Sequence, residues 1–235
     1  MSSSSETHHQ GLQLPLLITI DGPAGSGKTT VSRLLAIRLG YHYVDTGALY
    51  RCIALEAHKK AIETTDDRQL QKLCADLTIS FRETNGRWRL FSNDNDVTEQ
   101  IRTPEVSMLA SAISAMPSVR QHLLGVQRKL GEKKSVVFEG RDMGTVVFPE
   151  ADLKFYLDAD IAVRAQRRFR EQDRQHVQTK EDVEADMIRR DHHDSHRELS
   201  PLKPAHDAVL IDTTRLSIDA VVQTMLIQVK QLSHP

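Results

Sequence analysis

The segment Gly22-Pro23-Ala24-Gly25-Ser26-Gly27-Lys28-Thr29 satisfies the pattern G-x-x-x-x-G-K-[ST] at every constrained position. Its flanks restrict the fold further. An apolar run, Leu16-Leu17-Ile18-Thr19-Ile20, precedes it, and a stretch of helical character, residues 31–39, follows. A buried strand that aims a glycine-rich loop at a helix N-terminus forms a phosphate cradle. Backbone N–H groups curl around the oxygens, and the helix end adds partial positive charge. Gly22, Pro23, Ala24, Gly25, Ser26, Gly27, Lys28, Thr29 and Thr30 are therefore the expected contacts of a nucleoside triphosphate. Lys28 is expected to reach the β/γ-phosphates, and the Thr29 hydroxyl to ligate Mg²⁺.

At 235 residues the chain can form one α/β domain with an insertion and bury a sizeable core. Its formal net charge of −1 supplies no global field to draw nucleic acid or an acidic membrane, so anion binding must be local. Two cysteines, Cys52 and Cys74, lack metal-ligand spacing and point to free thiols in a reducing compartment, hence a cytoplasmic location. No stretch approaches eighteen apolar residues, so no membrane span is expected. Residues 1–14 read as a frayed, Ser-rich lead-in without the apolar region of a secretory signal. No exposed apolar helix face announces a partner, which favours a monomer.

Apolar, β-prone runs alternate with helix-period segments, the signature of parallel βαβ architecture. A second strand is expected over 41–44, ending at Asp45-Thr46-Gly47, with a helix over about 48–61. Further strands are expected at 135–138, 153–157 and 208–211, and a closing helix near Ser217, a plausible N-cap. The sum is a five-stranded parallel sheet covered by helices on both faces. Residues 66–103 break the alternation. There 77–82 and 87–91 flank Asn85-Gly86, the strongest short hairpin signal, and read as a small antiparallel insert between core segments 15–65 and 104–235. Residues from about 168 to 180 are charged and loosely patterned, suiting a short lid.

A phosphate loop alone does not choose among kinases, GTPases and other ATPases; guanidinium placement narrows the choice. Arg51 lies one turn into the helix after the second strand, and Arg141 just past a buried strand end. Ligands of open α/β sheets bind at such carboxyl ends, and arginine matches phosphoryl oxygens with planar, permanently charged donors. Arg164, Arg167 and Arg168 occupy one or two helical turns, while Arg189, Arg190 and Arg197 flank an Asp/His-rich stretch. Glu139 and Asp142 close an apolar strand, where carboxylates orient Mg²⁺ through its waters in this architecture.

Three blocks carry a resemblance: Asp45-Thr46-Gly47-Ala48-Leu49-Tyr50-Arg51; Gly140-Arg141-Asp142-Met143-Gly144-Thr145-Val146-Val147; and Arg190-Asp191 through Asp194-Ser195, Arg197 and Ser200-Pro201-Leu202. Together they are similar to bacterial-type cytidylate kinase, motif after motif, from about Leu16 to the final helix. The resemblance implies transfer of the γ-phosphate of ATP to CMP or dCMP with Mg²⁺, in a P-loop fold with an acceptor-side insert and a lid. It implies that Arg51, Arg141 and Arg197 clamp the acceptor phosphate, and that Ser111, Arg120 and Asp142 read the cytosine. Arg190 and Asp194 would lie near the ribose, and Thr46, Gly47 and Tyr50 would shape the pocket floor. Arg164 and Arg168 would neutralise the transferring phosphoryl beside Arg141 and Lys28, and Glu139 would hold Mg²⁺ through water. Glu139 stands where many relatives carry Asp.

No dedicated base is required, because a phosphate monoester is already an anionic nucleophile near neutral pH. The eleven histidines therefore need no chemical role. His192 and His193 are adjacent and point to different faces of a helix, and zinc needs three or four convergent ligands. Two alternatives stay open at this point. One is a kinase for another pyrimidine monophosphate such as UMP. The other is a regulator that binds ATP without turnover.

Overall fold

The computed structural model describes residues 14–84, 87–171 and 179–233. The expected turn at Asn85-Gly86, most of the 168–180 lid and nearly all of the lead-in lie outside them. In chain order, β1 is Leu17–Asp21, α1 Lys28–Leu39, β2 His42–Asp45, α2 Thr46–Lys59 and α3 Asp67–Ala75. Then come β3 Ile79–Thr84, β4 Arg87–Ser92, β5 Asn95–Asp96, a short 3₁₀ turn, α4 Pro104–Ile113 and α5 Pro117–Gly131. The chain continues through β6 Val136–Glu139, β7 Leu153–Asp158, α6 Ile161–Arg170, α7 Lys180–His196, β8 Val209–Asp212 and α8 Ile218–Ser233.

The five expected core strands form one parallel sheet in the order β2-β6-β1-β7-β8. Every residue of β1 is buried, Thr19 and Asp21 included, as befits a central strand that meets packed elements on both faces. On one face Ile18, Ile20, Phe155 and Leu157 pack with Val31, Leu35 and Leu39 of α1 and with Val221, Val222, Met225 and Val229 of α8. The α1 residues recur every fourth position and so share a stripe. The other face buries Leu17, Val44, Val136 and Phe138 with Met143 and Val147.

Helix boundaries follow capping chemistry. Helix α2 begins at Thr46, earlier than apolar periodicity suggests, because Asp45 Oδ1 accepts the Ala48 N–H at 3.1 Å. Ser217 Oγ accepts the Ala220 N–H at 3.2 Å and caps α8 as expected. Thr179 and Asp182 form a reciprocal capping box at the start of α7.

Residues 66–103 contain α3 as well as the three-stranded antiparallel sheet β3-β4-β5. Their apolar side chains do not form a separate core. Leu70, Leu73, Cys74, Leu77, Leu90, Val97 and Ile101 share one cluster with Leu49, Cys52 and Ile53 of α2, Ile113 of α4 and Leu123 of α5. This cluster is thus built from α2 through α5, and both cysteines are free and buried inside it. Among the described residues, no helix is long and apolar enough to cross a membrane.

Candidate active site

A cleft of about 820 Å³ opens at the carboxyl ends of the sheet strands. Ten basic side chains and five acidic ones line it, so a chain of near-zero net charge concentrates its positive field in one place. That answers the requirement for local anion binding.

In the loop after β1, Gly22, Gly25 and Gly27 all have positive φ. Gly22 has φ 145°, and a Cβ there would lie 2.0 Å from the Leu157 carbonyl oxygen. Gly27 has φ 90° and ends the loop at the α1 N-terminus without a side-chain cap, leaving helix N–H groups for a ligand. Ala24 through Thr30 line the cleft. Gly22 and Pro23 instead lie buried beneath the loop, and Pro23 contributes its carbonyl to Lys28 Nζ at 2.5 Å and Ser26 Oγ at 3.0 Å. Burial, and next the charge of Arg141, hold the Lys28 ammonium well below the usual lysine range, against the opposing pull of Glu139 and Asp21. An arriving anion would relieve that cost.

Thr29 Oγ1 donates to Glu139 Oε1 at 2.8 Å, and Tyr43 Oη donates to Glu139 Oε2 at 2.5 Å. Burial and the neighbouring Glu139 and Asp45 carboxylates push the Tyr43 phenol far above its ordinary value, so it stays a donor. Thr46 Oγ1 donates to the Glu139 carbonyl at 2.7 Å and ties the start of α2 to β6. Hard oxygen donors at the mouth of a phosphate loop fit Mg²⁺, which is commonly held by one or two carboxylates together with substrate phosphates.

Across the cleft stands a guanidinium cluster. Arg51 is oriented by Asp45, whose Oδ2 accepts from it at 2.7 Å. Arg120 donates to Asp142 and to the Ser114 carbonyl. Arg197 donates to the Ser200 carbonyl at 2.7 Å and lies 3.8 Å from Asp142 Oδ1. Arg141 and Arg190 both face Asp194 Oδ2, at 3.4 and 3.9 Å. Burial and then Arg141 push Arg190 down to about 10, still a cation at neutral pH. Burial works to raise Asp194, but Arg141, Arg190 and Arg197 together hold it below the usual carboxylate range. Among the described residues, Arg190 Nε and Arg197 Nη2 are buried donors without a hydrogen-bond partner.

Thr46, Gly47, Tyr50, Ser111, Asp142 and Asp194 line the same cleft as these arginines. Arg168 also lines it, paired with Glu171 at 3.5 Å. Arg164 does not. Its guanidinium is committed to the Ala159 and Ala24 carbonyls and to Asp191, so it braces α6 and α7 against the phosphate loop from behind. The cleft-facing position belongs to Arg167, one helical turn further on, which donates to Thr213 Oγ1 and the Thr213 carbonyl at 3.0 and 2.7 Å. Thr213 in turn donates to the Ser26 carbonyl at 3.0 Å. His192 and His196 stack on one face of α7, ring centroids 4.1 Å apart.

Asp21 escaped the sequence reading. This buried carboxylate at the end of β1 accepts the N–H groups of Met143 and Gly144 at 2.9 and 2.8 Å, fixing the turn that carries Arg141 and Asp142. Burial raises its pKa from 3.8 to about 6 against those two hydrogen bonds. The folded state therefore binds this proton more tightly than the unfolded chain, and the stability it confers is lost as pH rises from about 4 through 6. Replacement by Asn removes the titration. Urea unfolding of Asp21→Asn against the parent should shift in the variant's favour by about 2 kcal/mol between pH 4.5 and pH 7. An identical difference at both pH values would assign the titration elsewhere.

A family model described as cytidylate kinase matches residues 18–231. A protein named cytidylate kinase from Syntrophotalea carbinolica is 50% identical over 216 residues, 90% of each chain. Another, from Geobacter sulfurreducens, is 49% identical over 212 residues, covering 89% of this chain and 91% of that one. A solved gluconokinase from Sinorhizobium meliloti has a TM-score of 0.50 at 15% identity over 94% of each chain, a likeness of fold alone. With its phosphate loop, its facing arginines and near-complete coverage by these relatives, the chain belongs to the cytidylate kinase family.

Proposed function

We propose that this chain transfers the γ-phosphate of ATP to CMP or dCMP, giving ADP and CDP or dCDP. The observation that carries the reading is one cleft with two anion sites face to face. The phosphate loop and α1 line it, together with Arg51 beside Asp45, Arg141 beside Asp194 and Arg197 beside Asp142.

An acceptor phosphate oxygen attacks the γ-phosphorus, and the bond to the β-phosphate bridging oxygen breaks. The acceptor is already anionic, so alignment and charge stabilisation do the catalysis. The loop N–H groups and Lys28 hold the donor phosphates. Arg51, Arg141 and Arg197 hold the acceptor phosphate, and Arg168 lies where the transferring group passes. Asp142 accepts from the cytosine amine, with Ser111 and Arg120 beside it, while Arg190 and Asp194 attend the ribose. Leu216 and Ile218, both exposed, line the same cleft as Arg167 and offer an apolar surface to the donor base. Thr29, and Glu139 through water, would hold Mg²⁺, which when bound offsets charge on the triphosphate.

An acceptor panel with ATP and Mg²⁺ tests the reading. CDP and dCDP should form fastest. Preferred conversion of UMP, AMP or dTMP overturns it, and ATP binding with no transfer to any monophosphate would leave the regulator alternative.

A further inference from the structure

We propose that Tyr43, which does not line the cleft, is a positioning residue for the Mg²⁺-dependent function of Glu139. The inference rests on the reading that Thr29 and Glu139 hold the cation. Strands β2 and β6 pair in parallel with Asp45 opposite Glu139, so Tyr43, two residues earlier on β2, lies on the same face of the sheet as both. Its hydroxyl holds Glu139 Oε2 at 2.5 Å while Thr29 Oγ1 holds Oε1 at 2.8 Å. The carboxylate is pinned through both oxygens.

The two anchors do different things. Thr29 directs its proton to the carboxylate and keeps oxygen lone pairs for a cation. Tyr43 takes up the second carboxylate oxygen and removes the remaining rotation. Glutamate has one more rotatable bond than aspartate, so a carboxylate at the end of this longer arm needs a second anchor to stay in one place. Without the phenol, Glu139 is free to swing toward the cationic side chains of the cleft. Arg33 lies with its guanidinium 5.3 Å from the centre of the Tyr43 ring and holds that ring from the α1 side. Its contact survives replacement by phenylalanine.

Tyr43→Phe removes only the hydroxyl. Calorimetry of ADP binding, with saturating Mg²⁺ and with EDTA, separates the metal-dependent part of nucleotide affinity from the rest. In Tyr43→Phe the metal-free affinity should equal that of the parent, and the gain conferred by Mg²⁺ should shrink about tenfold, the scale on which partners of metal ligands act. The Mg²⁺ concentration giving half-maximal turnover should rise by about the same factor, with the KM for CMP unchanged. Glu139→Gln is measured in parallel. If Glu139→Gln keeps the parent's Mg²⁺ response, the cation reading is wrong and the proposal falls with it. If Glu139→Gln loses that response while Tyr43→Phe keeps it, only the role of Tyr43 is overturned. Equal weakening of metal-free and metal-bound affinity in Tyr43→Phe would mark a general loosening of the site and also overturn it.

Discussion

In a Lys28→Met variant, kcat for transfer to CMP is expected to fall at least about 100-fold, the scale of losing one preorganised electrostatic group. Methionine keeps the length of the arm and removes its charge. The ammonium is buried at the base of the phosphate loop, donating to the Pro23 carbonyl and lying 3.3 Å from Ser26 Oγ. Burial and Arg141 depress its pKa, so the charge is costly until a phosphate shares the site. In the proposed function, catalysis draws on that relief. Ser26 still donates to Pro23 in the variant, so the loop keeps one of its internal ties. Single-turnover rates with a thermal melt alongside check the result. Near-parental turnover in a folded variant would remove Lys28 from the mechanism.

The second large effect is expected at Asp142. Asp142→Asn should lower kcat/KM for CMP about 100-fold or more while leaving ATP affinity within a few-fold, and should cost about 3 kcal/mol of stability. Both consequences come from one carboxylate. Asp142 is buried between Arg120 and Arg197, so neutralising it leaves two guanidiniums without their counter-charge. It is also the acceptor for the cytosine amine in the proposed function. An amide can present its NH₂ to a uracil carbonyl, so the UMP to CMP ratio of kcat/KM should rise. Urea unfolding and the two substrate assays separate the roles. A stability loss with an unchanged substrate ratio would leave Asp142 as an ion-pair residue and move base reading elsewhere.

The contrast between Arg164 and Arg167 shows where sequence reasoning stops. Both lie on α6, three residues apart, and spacing cannot say which faces the cleft. Packing decides: α6 lies against α7, and Arg164 is drawn to Asp191, 27 residues away, and to Ala24, 140 residues away. Asp194 reads as a solvated carboxylate in a polar helix by itself, yet it is buried among three arginines. Asp45 was legible in kind, since an aspartate at a strand end before a helix is an N-cap signal. Its second hydrogen bond, to Arg51, needed the folded turn.

Local order came from the chain alone. Apolar, β-prone runs specified the five parallel strands, the glycine pattern specified the phosphate loop, and Ser217 specified the start of α8, because each depends on neighbours within a few positions. The tertiary structure alone decided the wiring of the site. It joined Asp21 to Met143 and Gly144 across more than 120 residues and Tyr43 to Glu139 across 96, and it merged the antiparallel insert with α2, α4 and α5 into one core. Such partners are chosen by strand order and burial. A buried polar group must find a donor or acceptor wherever the fold brings one, and no spacing in the sequence encodes that distance.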